Sequence, residues 1–347
     1  MARATLADVA RLAGVSPSTA SLTFSGSGPV SPATRERVLA AAAELGYTGP
    51  DPLARSLRRG ASGVVGVLTH GELASSFRDP VAVRVLDGIA DALGAHDLGM
   101  LLIRASSSHE GAAIARRAAM DAAIVLSPTG GENPVVTALR ERGLGVVLVE
   151  GEAPANAPEV VVIGLADTSA MRTLGEAVRA RGHERIALVT MAWDEDVPCG
   201  LLPEGTNDPT YPFTARRLAG VLRAGIEPAH VYVTRGSLVE EGYEAAKALL
   251  AQAPRPTAIM AFSDLLAAGV VLAARELGLS VPGDVAVTGF DGVDLPWLAP
   301  DVVESMSQPA LQKGKLAARA AIALLNDESA DSVELEITAR PGTTLAG

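Results

Sequence analysis

The chain has 347 residues and a mass of 35.4 kDa, more than one hydrophobic core usually serves, so two or three domains are expected. With 48% hydrophobic and 20% charged residues it has ample material for buried cores, and no run approaches the roughly 20 apolar residues of a membrane span. The net charge of -11 argues against a surface coated for bulk nucleic-acid or membrane binding, and the single cysteine, Cys199, excludes an internal disulfide framework or a multi-thiolate metal site.

The opening MARATLADVARLAG lacks the apolar stretch and cleavage site of a signal peptide, from which a cytoplasmic location is expected. Charge is uneven along the chain. Residues 1–60 hold seven arginines against four acids, a net of +3, which leaves -14 on the remainder. A small basic head on a large acidic body is the pattern of a head that touches a polyanion and a body with another task.

In chain order, Thr5 to Asp8 form a capping box, and Leu6, Val9, Ala10 and Ala13 recur at helical spacing until Gly14. Ser16 then caps a second helix with Pro17 at its first position, where a missing amide proton costs nothing, and Ala20 faces inward. After a loop with Gly26, Gly28 and Pro29, Ser31 and Pro32 open a third helix whose expected apolar stripe is Val38, Leu39, Ala42 and Leu45, ended by Gly46. Two helices joined by so short a turn form a helix-turn-helix, whose second helix fits the major groove, although three-helix heads also serve as interaction modules. Ser16, Ser18, Thr19 and Ser21 cluster on the second helix, where hydroxyls reach phosphates and base edges or simply cap and solvate a short helix.

The stretch TLADVARLAGVSPSTASLTFSGSGPVSPATRERVLAAAAELGYTGPDPLARSLRRGASGVVGVL resembles the lac repressor (LacI/GalR) family of bacterial transcription regulators nearly from end to end. The resemblance implies contacts: Ser16, Thr19, Ser21, Ser31, Thr34 and Tyr47 stand at positions that hold phosphates, Leu6, Pro17, Ser18 and Leu22 at positions that face bases, and Thr5 is a further DNA-binding position. PDPLARSLRRG resembles the family's hinge helix, with Asp51 as cap, Pro52 at its start, Leu57 as a minor-groove wedge, and Ala54, Arg55 and Arg58 beside it. So short a helix is marginal alone, so it is expected to order only when two hinges pack together on DNA. The sequence departs from the family pattern by one extra residue near Gly49, by Asp51 where asparagine is usual, and by Leu22 where arginine is common. Leucine offers only apolar contact where arginine grips guanine, so an operator unlike that of arginine-bearing relatives is expected.

Beyond residue 60, short apolar runs alternate with amphipathic helices. Strands are predicted at 64–68, 100–103, 123–126, 145–149, 186–190, 231–234, 258–262 and 285–289. This rhythm predicts an α/β body of two parallel sheets with helices on both faces and a cleft between subdomains, with ligand groups at the carboxyl ends of strands. The segments RGHERIALVT, TARRLAGVLRAGIEP, PTAIMAFSDLLAAGVVLAARELGLSVPGDVAVTGFDGVDLP and LEITARPGTT resemble landmarks of the family's effector domain, which is similar to periplasmic sugar-binding proteins. The resemblance places Glu150, Arg217, Ser263, Asp291 and Gln308 in an effector cleft and implies a sugar ligand. An arginine fork and converging carboxylates bind vicinal hydroxyls or a purine edge. Among the few aromatics, Phe77 and Trp297 are expected to cover the ligand, while Trp193, Tyr211, Phe213 and Phe290 are read as core. The segment 193–213, rich in proline and glycine, is expected to be a loop, either covering the cleft mouth or an idle insertion.

Asp264 and Asp291 are a candidate pair for acid/base chemistry, and Asp264 is better read as a helix-terminal carboxylate. No nucleotide-binding or nucleophile-elbow glycine motif occurs, and His70, His96, His109, His183 and His230 are scattered. The expectation is no enzyme, no cofactor and no metal. The domains are expected at 1–50 (helix-turn-helix), 51–60 (hinge) and 61–347 (effector binding and dimerisation). The expected partners are operator DNA, a sugar-like effector and a second copy of the chain, with no membrane. A small-molecule binding protein without operator recognition is the alternative.

Overall fold

A computed structural model describes residues 4–26, 28–49, 60–71, 73–106, 108–128, 130, 132–194 and 196–345. The chain divides into two compact units, Met1–Gly63 and Val64–Gly347. The hinge residues Asp51, Pro52, Ala54, Arg55, Leu57 and Arg58 lie outside the described residues.

In the head, α1 (Leu6–Leu12), α2 (Pro17–Ser25) and α3 (Pro32–Glu44) each begin where the sequence supplies a cap. The Thr5 hydroxyl accepts from the Asp8 amide at 3.3 Å while the Asp8 carboxylate accepts from the Thr5 amide at 3.0 Å. Ser16 and Ser31 accept from the Thr19 and Thr34 amides at 3.1 and 3.2 Å. The core is Val9, Ala10, Ala20, Val38, Ala41 and Ala42, with the Phe24 and Tyr47 rings edge to face against it. The stripe of α3 is rotated from the predicted one: Ala41 is buried, whereas Leu39 and Leu45 are exposed. Small alanines let α3 approach closely, so the core selects the alanine face rather than the leucine face.

Among the described residues the body holds two large sheets and one two-stranded sheet. Strands β1 (Val64–Thr69), β2 (Gly99–Arg104), β3 (Ala122–Leu126), β4 (Gly145–Val149) and β5 (Val161–Leu165) pair in parallel in the order β2-β1-β3-β4-β5. β6 (Ile186–Thr190), β8 (His230–Val233), β9 (Ala258–Ala261) and β10 (Ala286–Thr288) form a second parallel sheet, edged by the antiparallel two-residue β7 (Gly200–Leu201). A strand covered on both faces is apolar throughout, as in β6, where all five residues are buried.

Helices α4 (Leu73–Arg78), α5 (Pro80–Gly94), α6 (His109–Arg117) and α7 (Pro134–Glu141) belong to the first subdomain. Helices α8 (Asp167–Ala180), α9 (Pro212–Arg223), α10 (Val239–Leu250) and α11 (Asp264–Glu276) cover the second sheet. The chain then returns. After the short β11 (Ser305–Ser307), helix α12 (Ala310–Leu325) packs on α5, and β12 (Val333–Leu335) joins the outer edge of β5 before β13 (Thr338–Arg340) pairs back with β11. Gly88 of α5 and Gly314 of α12 meet so closely that a Cβ on either would lie 2.2 or 2.1 Å from a backbone oxygen of the other helix.

All eight predicted strands are present, two with the predicted ends (145–149 and 186–190) and the others with ends shifted by one residue. β5 was not predicted although Val160–Leu165 carries the same apolar signature, and β7, β11, β12 and β13 are too short to show a period.

Candidate functional site

The carboxyl ends of β4 and β10 face each other across the two subdomains and present Glu150 and Asp291, both at positive φ (60° and 111°). Left-handed backbone at a non-glycine residue is costly, and here it turns both carboxylates toward one point. Arg217, on the inward face of α9 and only 2% exposed, lies between them. Its Nε donates to Asp167 Oδ1 at 2.9 Å, a second nitrogen donates to the Phe262 carbonyl, and the guanidinium carbon sits 3.8 Å above the Phe290 ring. The remaining nitrogen is 3.9 Å from Glu150 and 3.8 Å from Asp291, close enough for Coulombic attraction and too far for a hydrogen bond.

The network continues through the returning segment. Gln308 Nε2 donates to Asp291 Oδ1 at 2.6 Å, and the buried Lys313 Nζ donates to Gln308 Oε1 at 2.6 Å and lies 3.2 Å from Glu150. Burial opposes the charge of Glu150, but Lys313 and Arg217 outweigh it and hold its pKa below the ordinary value. Burial also opposes the charge of Arg217, and Asp167, Asp291 and Glu150 more than compensate. For Asp291 burial wins: with Asp264 and Asp79 adding repulsion, its pKa stands well above the ordinary value despite Arg217. Asp264 is likewise pushed up, to about 7, by burial, against hydrogen bonds from Ser305 and the Val293 amide.

These groups enclose a cavity of about 90 Å3 lined by Asp79, Val81, Ser127, Glu150, Met191, Phe213, Arg217, Ser237, Asp291 and Gln308. Small-molecule sites usually measure roughly 300 Å3 or more, so the cavity is smaller than a typical ligand site. Ser263 does not line the cavity; it caps α11 and accepts from Ser237, which does. Phe77 and Trp297 do not line it either and are 60% and 53% exposed. Phe77 sits on α4, which buries no residue, and Trp297 on a single 3-10 turn whose Leu298 points inward instead. The half-buried aromatic at the cavity is Phe213, read from sequence as core, while Trp193, Tyr211 and Phe290 are buried as expected.

Sequence reasoning passed over Asp79, Ser127, Ser237, Asp167 and Lys313. Asp79 caps α5 ahead of Pro80, a legible helix start, and Ser127 ends β3 at positive φ. Lys313 carried no signal beyond being a lysine within an apolar helical face.

Residues of the segment 193–213 make hydrogen bonds within the loop and to the first subdomain. Trp193 Nε1 donates to the Asn207 carbonyl at 2.7 Å, closing the loop on itself. The Gly130 amide donates to the Thr210 carbonyl at 2.9 Å, and the Tyr211 hydroxyl bonds His70 Nε2 at 2.6 Å, tying the loop to the first subdomain. Arg78 of α4 pairs with Glu240 of α10 at 2.5 Å, a second link between the subdomains.

In the head, Thr5, Ser16, Pro17, Ser18 and Ser31 are exposed, and Leu6, Thr19, Ser21, Leu22, Thr34 and Tyr47 are half-buried. Ser16 Oγ lies 2.8 and 2.9 Å from the Ser18 and Thr19 hydroxyls, so three hydroxyls gather at the start of α2, where helix amides and dipole favour an anion. Leu22 packs toward Gly28, whose Cβ, if present, would lie 2.8 Å from a Leu22 methyl.

Among the described residues no helix is long and apolar enough to cross a membrane, and no group of three or more His, Cys, Asp or Glu is placed to hold a metal ion. Residues 5–49 match the family described as bacterial regulatory proteins, lacI family, and residues 176–343 match the periplasmic binding protein-like domain. The chain is 36% identical over 322 residues to the HTH-type transcriptional regulator Rv3575c of Mycobacterium tuberculosis, covering 90% of this chain and 88% of that protein. The solved complex of the transcriptional regulator CelR with cellobiose is 26% identical, with a TM-score of 0.66 over 99% of this chain and 100% of that one. The lac repressor dimer bound to operator and the anti-inducer ONPF is 20% identical and shares the fold, with a TM-score of 0.80 over 100% of both chains.

Proposed function

The chain belongs to the lacI family of bacterial regulatory proteins, and on that premise we propose that it works in the cytoplasm as a homodimeric, non-enzymatic repressor whose grip on DNA is set by a small polyhydroxylated effector. It is a DNA-binding transcriptional regulator with a helix-turn-helix head and an effector-binding body. The observation that carries the effector reading is the buried Arg217 of the second subdomain facing Glu150 of the first and Asp291 of its own at one cavity. A ligand hydroxyl pair accepting from Arg217 and donating to Glu150 and Asp291 replaces two long ion contacts with short hydrogen bonds and thereby fixes the angle between subdomains. A sugar satisfies this pattern, and the cellobiose bound to CelR is a precedent among relatives.

Gln308 and Ser263, through Ser237, are assigned supporting roles in that site. Phe213, rather than Phe77 or Trp297, supplies the apolar face. In the head, Ser16, Thr19, Ser21, Ser31, Thr34, Tyr47 and Thr5 are assigned to phosphates, and Leu6, Pro17, Ser18 and Leu22 to base edges. The domain limits 1–50, 51–60 and 61–347, and the hinge roles of Ala54, Arg55, Leu57 and Arg58, belong to the same proposal.

The test is operator selection from random DNA at fixed salt, followed by competition with sugars and nucleosides. A two-fold site whose affinity shifts with one sugar, and no longer shifts in Arg217→Ala while DNA binding persists, supports the reading. Sequence-blind, salt-sensitive binding that no compound alters overturns it.

A further inference from the structure

A second and larger cavity, of about 370 Å3, shares no lining residue with the effector cavity and lies where the chain first crosses between subdomains. Its floor is the end of β5, Leu165, and the crossing residue Ala166, and Glu334 of β12 stands at its edge. Its walls are α8 and α9, and the spacing of their arginines explains what they present. Arg216 and Arg223 are seven residues apart on one face of α9, and Arg172 lies four residues after Thr168 on α8, so three guanidinium groups turn into one groove.

The rest of the body carries a strong negative excess, yet here three cations meet one carboxylate. The existing acidic partners leave donors over. Arg172 reaches Glu176 only at 3.6 Å with both side chains more than half exposed, and among the described residues no carboxylate pairs with Arg223. Arg216 uses Nε on Asp167 at 3.3 Å and a terminal nitrogen on the Glu150 carbonyl at 3.0 Å, leaving its last nitrogen 4.0 Å from Glu152. The first turn of α8 opens into the same groove behind Ala166, which offers no side-chain cap.

We propose that this groove is a second binding site, for the phosphoryl dianion of a small organic phosphate, held by Arg172, Arg223 and Arg216. Planar forks on three sides match the oxygens of a phosphate better than a single carboxylate. The volume exceeds what the phosphoryl group alone needs and leaves room for a small polar body. Its floor belongs to the first sheet and its arginines to the helices of the second, so an occupant also restrains the angle between subdomains. Asp167 links the two cavities directly, because it accepts from Arg216 on this side and from Arg217 on the effector side.

The experiment titrates the full-length protein with inorganic phosphate and with glucose 6-phosphate by calorimetry at constant ionic strength, with chloride and glucose as controls. The same titrations are run on Arg172→Ala/Arg223→Ala, two exposed positions whose loss leaves the cores intact. Saturable binding weakened about tenfold or more in the double variant, with an unchanged melting temperature and unchanged operator affinity, is the expected result. Tighter binding of the ester than of inorganic phosphate assigns the groove to a phosphorylated metabolite, and equal binding assigns it to free phosphate. The absence of saturable binding, or equal binding by wild type and variant, as from phosphate on the DNA-binding heads, overturns the proposal. Operator selection is unaffected by either outcome, so a failure here is distinguishable from a failure of the repressor reading.

Discussion

Replacing Arg217 by methionine keeps most of the side-chain volume and removes the guanidinium. Three buried carboxylates then lose a counter-charge, but unequally. Asp167 retains Arg216 at 3.3 Å and Glu150 retains Lys313 at 3.2 Å, whereas Asp291 keeps only the uncharged Gln308. Breaking a buried pair from one side costs about 3–5 kcal/mol, a large share of the roughly 5–15 kcal/mol that stabilises a typical domain. The loss concentrates on Asp291, which without Arg217 must stay buried as an unpaired anion or take up a proton, so adding Asp291→Asn to Arg217→Met is expected to recover about 1–3 kcal/mol rather than to add a second loss. Both tryptophans, Trp193 and Trp297, lie in the body, so urea unfolding followed by tryptophan fluorescence reports the body alone. A midpoint for Arg217→Met within about 0.5 kcal/mol of wild type, or a double variant less stable than the single one, refutes the charge accounting.

Three further outcomes are expected. Asp264 binds its proton more tightly in the folded chain, with a pKa of about 7 against an ordinary 3.8, so its contribution to stability falls as pH rises from about 4 to about 7. Asp264→Asn removes that slope, at most about 1.4 kcal/mol per pH unit, in urea midpoints measured across the window, and an unchanged slope contradicts it. Ser31→Ala deletes the cap of α3 and is expected to cost the head about 1 kcal/mol, read as an earlier head transition in circular dichroism with the tryptophan transition unmoved. Gly88→Ala places a methyl 2.2 Å from the Leu311 carbonyl oxygen, so α5 and α12 must separate, with an expected loss of about 1–3 kcal/mol in the body's urea midpoint. Wild-type stability in that variant means the helix pair is looser than its geometry.

The head was legible almost to the residue because its signals are local: three side-chain caps and three glycines at positive φ (Gly14, Gly26 and Gly46) mark every helix end. What was misjudged there is which face of α3 turns inward, a matter of volume that periodicity does not weigh, as Leu39 and Ala41 demonstrate. The same division holds in the body. Runs such as Ile186–Thr190 declare buried strands, while β12 and β13, three residues each, are strands only because an edge from far away in the chain receives them. At the candidate site the resemblance implied Glu150, Arg217, Asp291 and Gln308, and the geometry groups these four at one cavity. Lys313 escaped because a single lysine has no pattern, Asp79 is legible only as a helix cap before Pro80, and the expectation that Phe77 and Trp297 cover the ligand rested on sequence, which does not fix the direction of a side chain.

The late return of the chain to the first subdomain has a consequence for synthesis on the ribosome. Helix α12 and strand β12, Ala310–Leu325 and Val333–Leu335, complete a layer that begins at Val64, so that layer stays open until residue 335 has been made. The head, whose core closes with Tyr47, has by then had the rest of translation in which to fold. Nascent chains therefore pass through a stage in which the DNA-reading part is finished while the part that senses a ligand is not, and a stop codon before Val333 would make that stage permanent.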